Sequence, residues 1–530
     1  MKPPHTITSL HPPPTHPKVV VIGGGAGGLA CAGRLARSGS TASVTLLEKN
    51  DTVGGRMQSI HMDGWRFDTG PSLLLFPDKY KETFEALGTS LEAAVSLQRV
   101  DPIAYRVFFP ESPSYSIDLL YNVEKMSEQL ECLEKGAGKA YPAFLQMARH
   151  HLDLGLPYFI DRDFSELKEA KGLLDLLPKL TTINPWQLLG PEELVLRGFF
   201  RDPRLRAALT FQTLYVGLAP SNAPAVFTLL AGTELTDGVW YPMGGFGGVR
   251  DALRQCTADA GVDIRTNAAV RCIRIEQGAV RGVVLEGGEV VEADVVVSNR
   301  DLPATYADLM VGDSADQEDY IRKKSNQLVS KLKYSTGVIG YSWCVNKPVS
   351  RLRHHNVFLS QEYKKSWTPA RGPDDFVQYP NFYVHVPSKT DPTASPAGCE
   401  SVMILLPVAN MQQPRGNGSD YSELIEEGRR RILRSFQAAN VDFTESDIQR
   451  ELVIDPSQWQ EKYGVTHGAA FGLSHSLDQL SLFRPGNKDD NIRGLYFVGA
   501  STIPGNGVPL CFIGARLTAE RILRDYSSSA

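Results

Sequence analysis

The residues of this chain that point most directly to chemistry are the glycines of GGGAGG, residues 23–28. Gly23, Gly25 and Gly28 fit the spacing G-x-G-x-x-G, and Glu48 follows about 20 residues after the last of them. In such a pattern the first glycine permits a tight turn, the second lets the backbone approach a pyrophosphate, and the third allows close packing of helix on strand. The helix that follows presents its N–H groups to the phosphates, and the carboxylate can accept hydrogen bonds from the ribose hydroxyls. The pattern predicts a dinucleotide-binding site.

A second loop distinguishes a flavin dinucleotide from a nicotinamide dinucleotide. Gly54, Gly55 and Arg56 come shortly after Glu48, and the segment FDTGPS occupies residues 67–72. Paired glycines allow backbone contact with a flavin, while the guanidinium offers a delocalised charge to phosphate or ring oxygens. Nicotinamide-binding domains have no general need for such a loop. FAD is therefore the predicted cofactor, and a surface ion pair is the alternative role for Arg56.

Strands and helices at both ends of the chain must position these loops. Residues 18–22, a β-branched run between proline and glycine, predict a buried parallel strand, and residues 29–36 have small and apolar side chains at helical spacing. A second strand is predicted over 42–47. Near the C-terminus, residues 495–498 predict an apolar strand, and the loop 504–509, rich in glycine and proline, leads into a helix. The exposed backbone of that loop suits a flavin, so we expect both ends of the chain to build one site.

These blocks carry a resemblance to a known family. With VTLLEKNDTVGGR, FQTLYVGLAPSNAPAVFTLL, ADVVVSNRD and GLYFVGASTIPGNGVPLCFIGARLTAERIL, the chain resembles the bacterial and fungal type of phytoene desaturase. These are flavin-dependent carotenoid desaturases within the flavin amine oxidoreductase superfamily, and the similar blocks run from about Val19 to Leu523. The resemblance implies an α/β fold in which a Rossmann-type FAD-binding domain is interleaved with an α+β substrate domain carrying a helical cap. It also implies that Val270 lies near the adenine.

The candidate cofactor-binding residues come from the glycine-rich loops, the acidic strand end, the central segment and the C-terminal loop. They are Gly23, Gly25, Ala26, Gly27, Gly28, Glu48, Lys49, Gly54, Gly55, Arg56, Gly70, Pro71, Ser72, Val270, Gly499, Ala500, Gly505, Gly507, Val508 and Pro509.

Three motifs depart from the pattern of the family. Many members have a histidine where Ile503 stands, a cationic residue where Met243 stands, and a Gly-His pair where Ala409 and Asn410 stand. All three motifs are expected close to the flavin or substrate cavity. The departures leave the cofactor prediction intact and the identity of the substrate open.

The blocks predict two interleaved domains. The FAD-binding domain is expected to take residues 18–90, 235–305 and 470–530, and the substrate domain with its cap residues 91–234 and 306–469. Residues 1–17, rich in proline and without the apolar core of a secretory signal, are interpreted as a disordered leader, with an organelle transit peptide as the alternative.

Composition excludes several classes of protein. The chain has 530 residues, with 55 Lys+Arg against 60 Asp+Glu, and its net charge of −5 gives no reason to expect nucleic-acid binding. Its 7 scattered cysteines, without a C-x-x-C pair, predict neither a disulfide framework nor a zinc site. No apolar run approaches the roughly 18 residues of a spanning helix. We expect a cytoplasmic protein, with peripheral attachment to a membrane as a further expectation.

Catalytic residues are not assigned by the sequence, which offers four candidates. Tyr215 and Glu234 lie in blocks shared with the family and could contact the substrate or a proton. His467 and His475 could touch the flavin or relay a proton, although a lone histidine is more often a structural residue.

Other histidines are interpreted as part of the protein surface. His354 and His355, with Arg351 and Arg353 beside them, predict a solvated basic patch. No H-x-x-x-H, H-E-x-x-H or cysteine pair occurs in the sequence, so no metal is predicted.

The resemblance implies removal of a hydride and a proton across a C–C bond of a hydrophobic polyene precursor, a carotenoid such as phytoene. The alternatives are a flavin oxidase, dehydrogenase or isomerase acting on another hydrophobic specialised metabolite, and an escort protein that binds prenyl groups without flavin. The apolar segments 223–230 and 471–482 could line a substrate tunnel or form ordinary core. The expected partners are a hydrophobic small molecule, an electron acceptor such as a quinone or oxygen, and a membrane surface, but no nucleic acid.

Overall fold

The computed structural model describes residues 14–113, 115–162, 178, 184–413 and 420–527. Most of the predicted leader, residues 1–13, and part of the predicted cap, residues 163–177 and 179–183, lie outside the described residues. The elements below are numbered in chain order.

The described strands belong to two large and three small sheets. They are β1 (Lys18–Ile22), β2 (Ser43–Leu47), β3 (Ser59–Met62), β4 (Trp65–Asp68), β5 (Leu97–Arg99), β6 (Ile103–Phe108), β7 (Ser116–Leu120), β8 (Trp240–Pro242), β9 (Asp263–Arg265), β10 (Val270–Glu276), β11 (Ala279–Leu285), β12 (Val290–Glu292), β13 (Val295–Ser298), β14 (Gly337–Val345), β15 (His355–Phe358), β16 (Phe382–His385), β17 (Glu400–Val408), β18 (Ile448–Ile454) and β19 (Leu495–Phe497).

The described α-helices flank these sheets or form a layer of their own. They are α1 (Ala26–Arg37), α2 (Pro77–Ala86), α3 (Leu91–Ala94), α4 (Val123–Leu133), α5 (Ala137–Gly155), α6 (Pro185–Leu189), α7 (Glu192–Leu196), α8 (Pro203–Ala208), α9 (Thr228–Thr236), α10 (Phe246–Asp259), α11 (Leu302–Asp308), α12 (Ala315–Asn326), α13 (Ser422–Ala438), α14 (Pro456–Tyr463) and α15 (Val508–Ser527).

The first large sheet is parallel, and its strands come from both ends and the middle of the chain. Its order is β19-β13-β1-β2-β9. The central strands are runs of valine with both faces covered, as is typical of parallel sheets, and residues 19–21 and 295–297 are buried. Helix α1 packs against α15, so the two chain ends share one core. These strands fall within the three segments predicted for the FAD-binding domain, whose exact boundaries stay a prediction.

The second large sheet is mainly antiparallel and belongs to the segments predicted for the substrate domain. Its order is β18-β14-β17-β16-β15-β6-β7, and only the β15–β6 pair is parallel. Separate apolar clusters cover its two faces, one around Trp343 and one around Tyr105. The short β5–β8 ladder, whose two strands fall on either side of the predicted domain division, joins the two parts of the molecule.

The surface patch predicted around His354 and His355 is wrong for both histidines. His355 begins β15, which lies inside the second sheet between β16 and β6, and its side chain has no exposed area. His354 is 3% exposed, while Arg353 is exposed. A strand in the interior of a covered sheet buries its polar side chains as well as its apolar ones, a property that the local charge of the sequence does not reveal.

Helices α4 to α9 form the described part of the predicted cap. Asn122 and Asp202 cap α4 and α8 through their side chains, and Pro185 and Pro203 occupy the first positions of α6 and α8, where no N–H is needed. Helix α5 packs against α9 and continues into a wider turn over Leu156–Ile160. The cap thus brings Ile160 and Leu229 to the cavity described below. Among the described helices, none has the length and apolar character required to cross a membrane.

Candidate functional site

A cavity of about 620 Å³ lies at the carboxyl ends of strands β1, β2, β13 and β19. In open α/β sheets this is the edge at which ligands bind. Of the candidate cofactor-binding residues, all but Gly28 and Gly505 line it. The cavity therefore assembles segments from the two ends and the middle of the chain, as the sequence predicts.

The glycine turn leaves the N-terminus of α1 open toward the cavity. Gly23 has φ 93°, in the region that favours glycine, and Gly25 precedes the first residue of α1 without offering a side chain to cap it. The first N–H groups of the helix are thus available to a phosphate. A Cβ on Gly28 would lie 2.1 Å from the carbonyl oxygen of Gly23, so Gly28 serves the turn by close packing and does not line the cavity.

Glu48 is held in place to receive ribose hydroxyls. Its Oε2 accepts a hydrogen bond from the Gly24 N–H at 2.8 Å, and its Oε1 accepts from the backbone and side chain of Asn50 at 3.0 and 2.9 Å. Each carboxylate oxygen can accept further bonds, and the side chain is 5% exposed. Lys49 and Val270 line the same end of the cavity, where the adenine is expected.

Arg56 lines the cavity and donates from Nη1 to the Ala470 carbonyl at 2.7 Å, so it links the N-terminal loop to the C-terminal part of the chain. The alternative role that the sequence left open for Arg56, a surface ion pair, does not describe this contact. A Cβ on Gly70 would lie 2.1 Å from the carbonyl oxygen of Arg56. Only glycine permits this approach, which holds the loop in shape. Ser72, at the end of the same segment, shares a 2.9 Å hydrogen bond with the Tyr383 hydroxyl.

The C-terminal loop closes the cavity from the opposite side. Gly507, Val508 and Pro509 line it where α15 begins. Gly505 has φ 144°, and a Cβ there would lie 2.4 Å from His475 Nε2, so Gly505 makes room for His475 and does not itself line the cavity. Asn506 donates from its amide to the Tyr215 carbonyl at 2.7 Å, which joins this loop to the cap.

These features fit FAD. Glycines form the walls where side chains would fill the space, a helix N-terminus and a buried carboxylate face the cavity, and its size is within the usual range for cofactor sites.

Two of the four catalytic candidates belong to one buried network. The Tyr215 hydroxyl donates to the Tyr105 hydroxyl at 3.0 Å, Tyr105 donates to Glu234 Oε1 at 2.8 Å, and the Gln212 amide donates to Glu234 Oε2 at 2.9 Å. Tyr215 lines the cavity, whereas Glu234 lies behind it with no exposed area. Burial raises the pKa of Glu234 to about 7. The network therefore connects the cavity, through the hydroxyls of two tyrosines, to a carboxylate that can change protonation near neutral pH.

The two candidate histidines differ in position. His475 lines the cavity, its Nε2 lies 3.5 Å from the Asn506 N–H, and burial lowers its pKa well below the ordinary value. His467 lies outside the cavity lining, where its Nε2 meets the Val329 carbonyl at 3.0 Å and its ring packs edge-on against Tyr334. A contact of His467 with the flavin, one of its two predicted roles, therefore does not fit this placement.

The loop after β13 also contributes to the site, although none of its residues was among the candidates predicted from the sequence. Asn299 donates from its amide to the Gly23 carbonyl at 3.1 Å, and Arg300 and Asp301 line the cavity. Asp301 accepts the Thr466 N–H at 2.9 Å and also bonds Ser501. The available signal was the polar run that directly follows a predicted parallel strand, since the carboxyl ends of such strands face the site.

The remainder of the cavity is apolar. The apolar segments 223–230 and 471–482, for which the sequence allowed either tunnel lining or core, contribute to both. Ala223 and Leu473 are fully buried in apolar clusters. The residues of these segments that line the cavity are Phe227, Leu229, Leu230, Phe471 and Leu480.

The motif departures do not contribute to this lining. Ile503, Met243, Ala409 and Asn410, all among the described residues, lie outside the cavity lining, although Thr502 and Pro504 belong to it. Ile503 packs instead in a small apolar cluster with Ile513 and Leu517.

The chain shares its sequence with flavin enzymes along nearly its whole length. It matches the family described as flavin containing amine oxidoreductase over residues 26–523. It is 37% identical to a phytoene desaturase of Fusarium fujikuroi, over 96% of this chain and 89% of that one. It is 36% identical to a zeta-carotene-forming phytoene desaturase of Myxococcus xanthus, over 96% and 94%.

Among solved structures, an oxidoreductase from Methanosarcina mazei has the same fold. The TM-score is 0.61 at 18% identity, over 95% of this chain and 100% of that one. Together with the cavity, these similarities identify FAD as the cofactor and support an enzyme over the flavin-free escort role. The chain therefore belongs to the flavin containing amine oxidoreductases and, within them, to the phytoene desaturase family of FAD-dependent oxidoreductases.

Proposed function

We propose that this protein desaturates a carotenoid precursor such as phytoene, by removing a hydride and a proton from adjacent carbons. The observation that carries the proposal is the continuity of the cavity: its cofactor end, built from glycine loops, opens onto an apolar end where Tyr215 leads to a buried carboxylate. The names of the relatives favour the polyene, because two of them are desaturases of that class.

When bound, FAD supplies the acceptor for the hydride. The chain must keep water out, orient the polyene and take up the proton. The apolar wall, with Phe211, Leu214 and Leu230, performs the first two tasks. The electrons of the C–H bond that loses its proton form the new double bond, so the proton must be passed to a base.

The tyrosine network is arranged for that transfer. Tyr215 donates toward Tyr105, and Tyr105 donates toward Glu234, so a proton delivered to the Tyr215 oxygen displaces one along each hydrogen bond. The pKa of both phenols is raised well above the ordinary value by burial, which keeps them neutral and suits them to relaying a proton. Glu234, with a pKa of about 7, is the group that can hold the proton.

A membrane surface is the proposed source of the substrate. Phe483 is 72% exposed and Leu482 56% exposed, beside Leu480, which lines the cavity and packs with Val216 and Phe227. Exposed apolar side chains next to an apolar cavity suit insertion into the interfacial region of a bilayer. A quinone dissolved in the same bilayer, or oxygen, would then accept the electrons.

The membrane proposal predicts that replacing Leu482 and Phe483 by serine reduces co-sedimentation with phospholipid vesicles and raises the KM for substrate delivered in them. Val311→Ser removes an apolar side chain that is 52% exposed at a different place and serves as the control. Equal co-sedimentation of the double variant, the control and the unchanged protein would refute the proposed docking surface.

The substrate is tested by expression in a bacterium that accumulates phytoene, followed by analysis of the extracted pigments. We expect coloured products with more conjugated double bonds from the unchanged chain and colourless phytoene from flavin-loaded Glu234→Gln. Unchanged phytoene in cells that contain the flavin-loaded wild-type protein would overturn the choice of substrate and favour the other hydrophobic metabolites.

A further inference from the structure

Three histidines that the sequence keeps apart meet behind the wall of the cavity. His355 begins β15, His385 ends β16, and the two residues face each other in the antiparallel register. His354 precedes β15, and one ring nitrogen from each of the three lies within 4.8 Å of the others. All three side chains are buried, with at most 3% exposure.

Hydrogen bonds to the outer nitrogens orient two of these rings. His354 Nδ1 meets the Thr390 hydroxyl at 2.6 Å, and His355 Nδ1 meets the Tyr383 hydroxyl at 2.7 Å. His354 directs Nε2 toward the cluster, where it lies 3.1 Å from His385 Nε2. Histidines that bind a metal characteristically have the other ring nitrogen held in this way by the protein.

Two ring nitrogens of the cluster are left without a partner. His355 Nε2 and His385 Nδ1 are both buried and have no hydrogen-bond partner among the described residues. A buried polar atom without a partner is costly in free energy, and a ligand for it would remove that cost.

The spacing is close to that of a metal site. Nitrogens bound to zinc at about 2.0–2.1 Å in a tetrahedral arrangement lie about 3.3 Å apart, near the 3.1 Å between His354 and His385. His355 would need a ring shift to complete three ligands, because the ligand atoms of the three side chains lie within 4.8 Å of one another. Tyr241 packs on His354 and His385 and donates its hydroxyl to the buried Asp68 at 3.0 Å.

We propose that His354, His355 and His385 bind one first-row divalent transition metal ion, with zinc as the best match to three imidazoles. The ion ties β15 to β16 and thereby fixes Tyr383, which lies between His355 and Ser72 on the cavity wall. Three imidazoles leave the fourth position of a tetrahedral zinc to water. The role of the ion is to hold the two strands together, and since the ligands are buried it enters during folding. The site is independent of which polyene the enzyme takes.

Metal content of the untagged protein tests the site. Protein from zinc-supplemented cells, desalted in the presence of a weak chelator, is analysed for metals by mass spectrometry. We expect about one zinc per chain, its loss in His355→Phe and His385→Phe, and its retention in His151→Gln. His151 is a matched control, because it is equally buried and bonds Thr228 instead of the cluster. Wild-type protein without stoichiometric metal, or equal metal in the cluster variants, would overturn the proposal.

A second measurement covers the case in which the variants fail to fold. Wild-type protein produced with Co²⁺ in place of zinc should show the strong visible absorption of a tetrahedral cobalt site. Its thermal midpoint should exceed that of protein produced under metal depletion. Only the weak absorption of solvated octahedral cobalt, or equal midpoints, would mean that the three histidines form a metal-free stack.

Discussion

Glu234→Gln tests the proton-transfer network of this enzyme. The substitution keeps the shape of the side chain and one of the two oxygens that accept from Tyr105 and Gln212, but it removes the base. Loss of a general base typically lowers the rate about 10²- to 10⁴-fold. We expect kcat to fall within that range while the protein keeps its flavin, because Glu234 lies outside the cavity lining.

The dependence of kcat on pH in the wild-type enzyme gives a second test of Glu234 as the base. A base must be ionised to accept a proton, so kcat should rise with pH through the pKa of Glu234, which is about 7. The ionised fraction of such a group increases about tenfold between pH 6 and pH 8, and kcat should increase likewise. The rise should be absent in Glu234→Gln.

The assay measures the coloured product formed in vesicles at saturating substrate and quinone. Glu192→Gln is the control, because Glu192 is also a buried glutamate whose pKa is raised by burial. Unlike Glu234, it shares no hydrogen bond with Tyr105 or Gln212 among the described residues. It should keep the wild-type profile. A wild-type profile that is flat between about pH 6 and 8, or an unchanged kcat in Glu234→Gln, would refute Glu234 as the proton acceptor.

Two further substitutions test the cofactor cradle and the link between the two parts of the molecule. Gly25→Val places a side chain at the N-terminus of α1, where even a Cβ would lie 2.8 Å from the Asn299 amide, and should yield colourless protein. The control Gly287→Val changes a glycine in open space, and this protein should stay yellow. A yellow Gly25→Val protein would contradict the placement of the pyrophosphate. Asp391→Asn breaks a buried 2.6 Å ion pair with Arg66 and should lower the free energy of unfolding by about 3–5 kcal/mol in chemical denaturation. Asp251→Asn, in an exposed pair, should change it by less than about 1 kcal/mol, and equal effects would show that burial of the Arg66 pair is unimportant.

Local sequence patterns were sufficient to predict the cofactor end of the site. The turn at residues 23–28, the carboxylate of Glu48 and the C-terminal loop are local patterns, because a glycine turn between strand and helix leaves few backbone solutions. Such patterns also carried the family resemblance, and with it the interleaved domains. Even here the local pattern did not distinguish glycines that line the cavity from glycines that only make room for neighbouring groups. Gly28 and Gly505 are of the second kind, since they create space for Gly23 and His475.

Contacts between polar side chains from distant segments could be read only from the folded chain. Tyr105 belongs to β6, Tyr215 to the turn that follows α8, and Glu234 to α9. A hydrogen bond between such distant segments has no signature in either segment alone. The same holds for His354 and His385, which the strand register brings to 3.1 Å although they are far apart in sequence. Burial is likewise a property of the assembled sheets, and for this reason a predicted surface patch became part of the core.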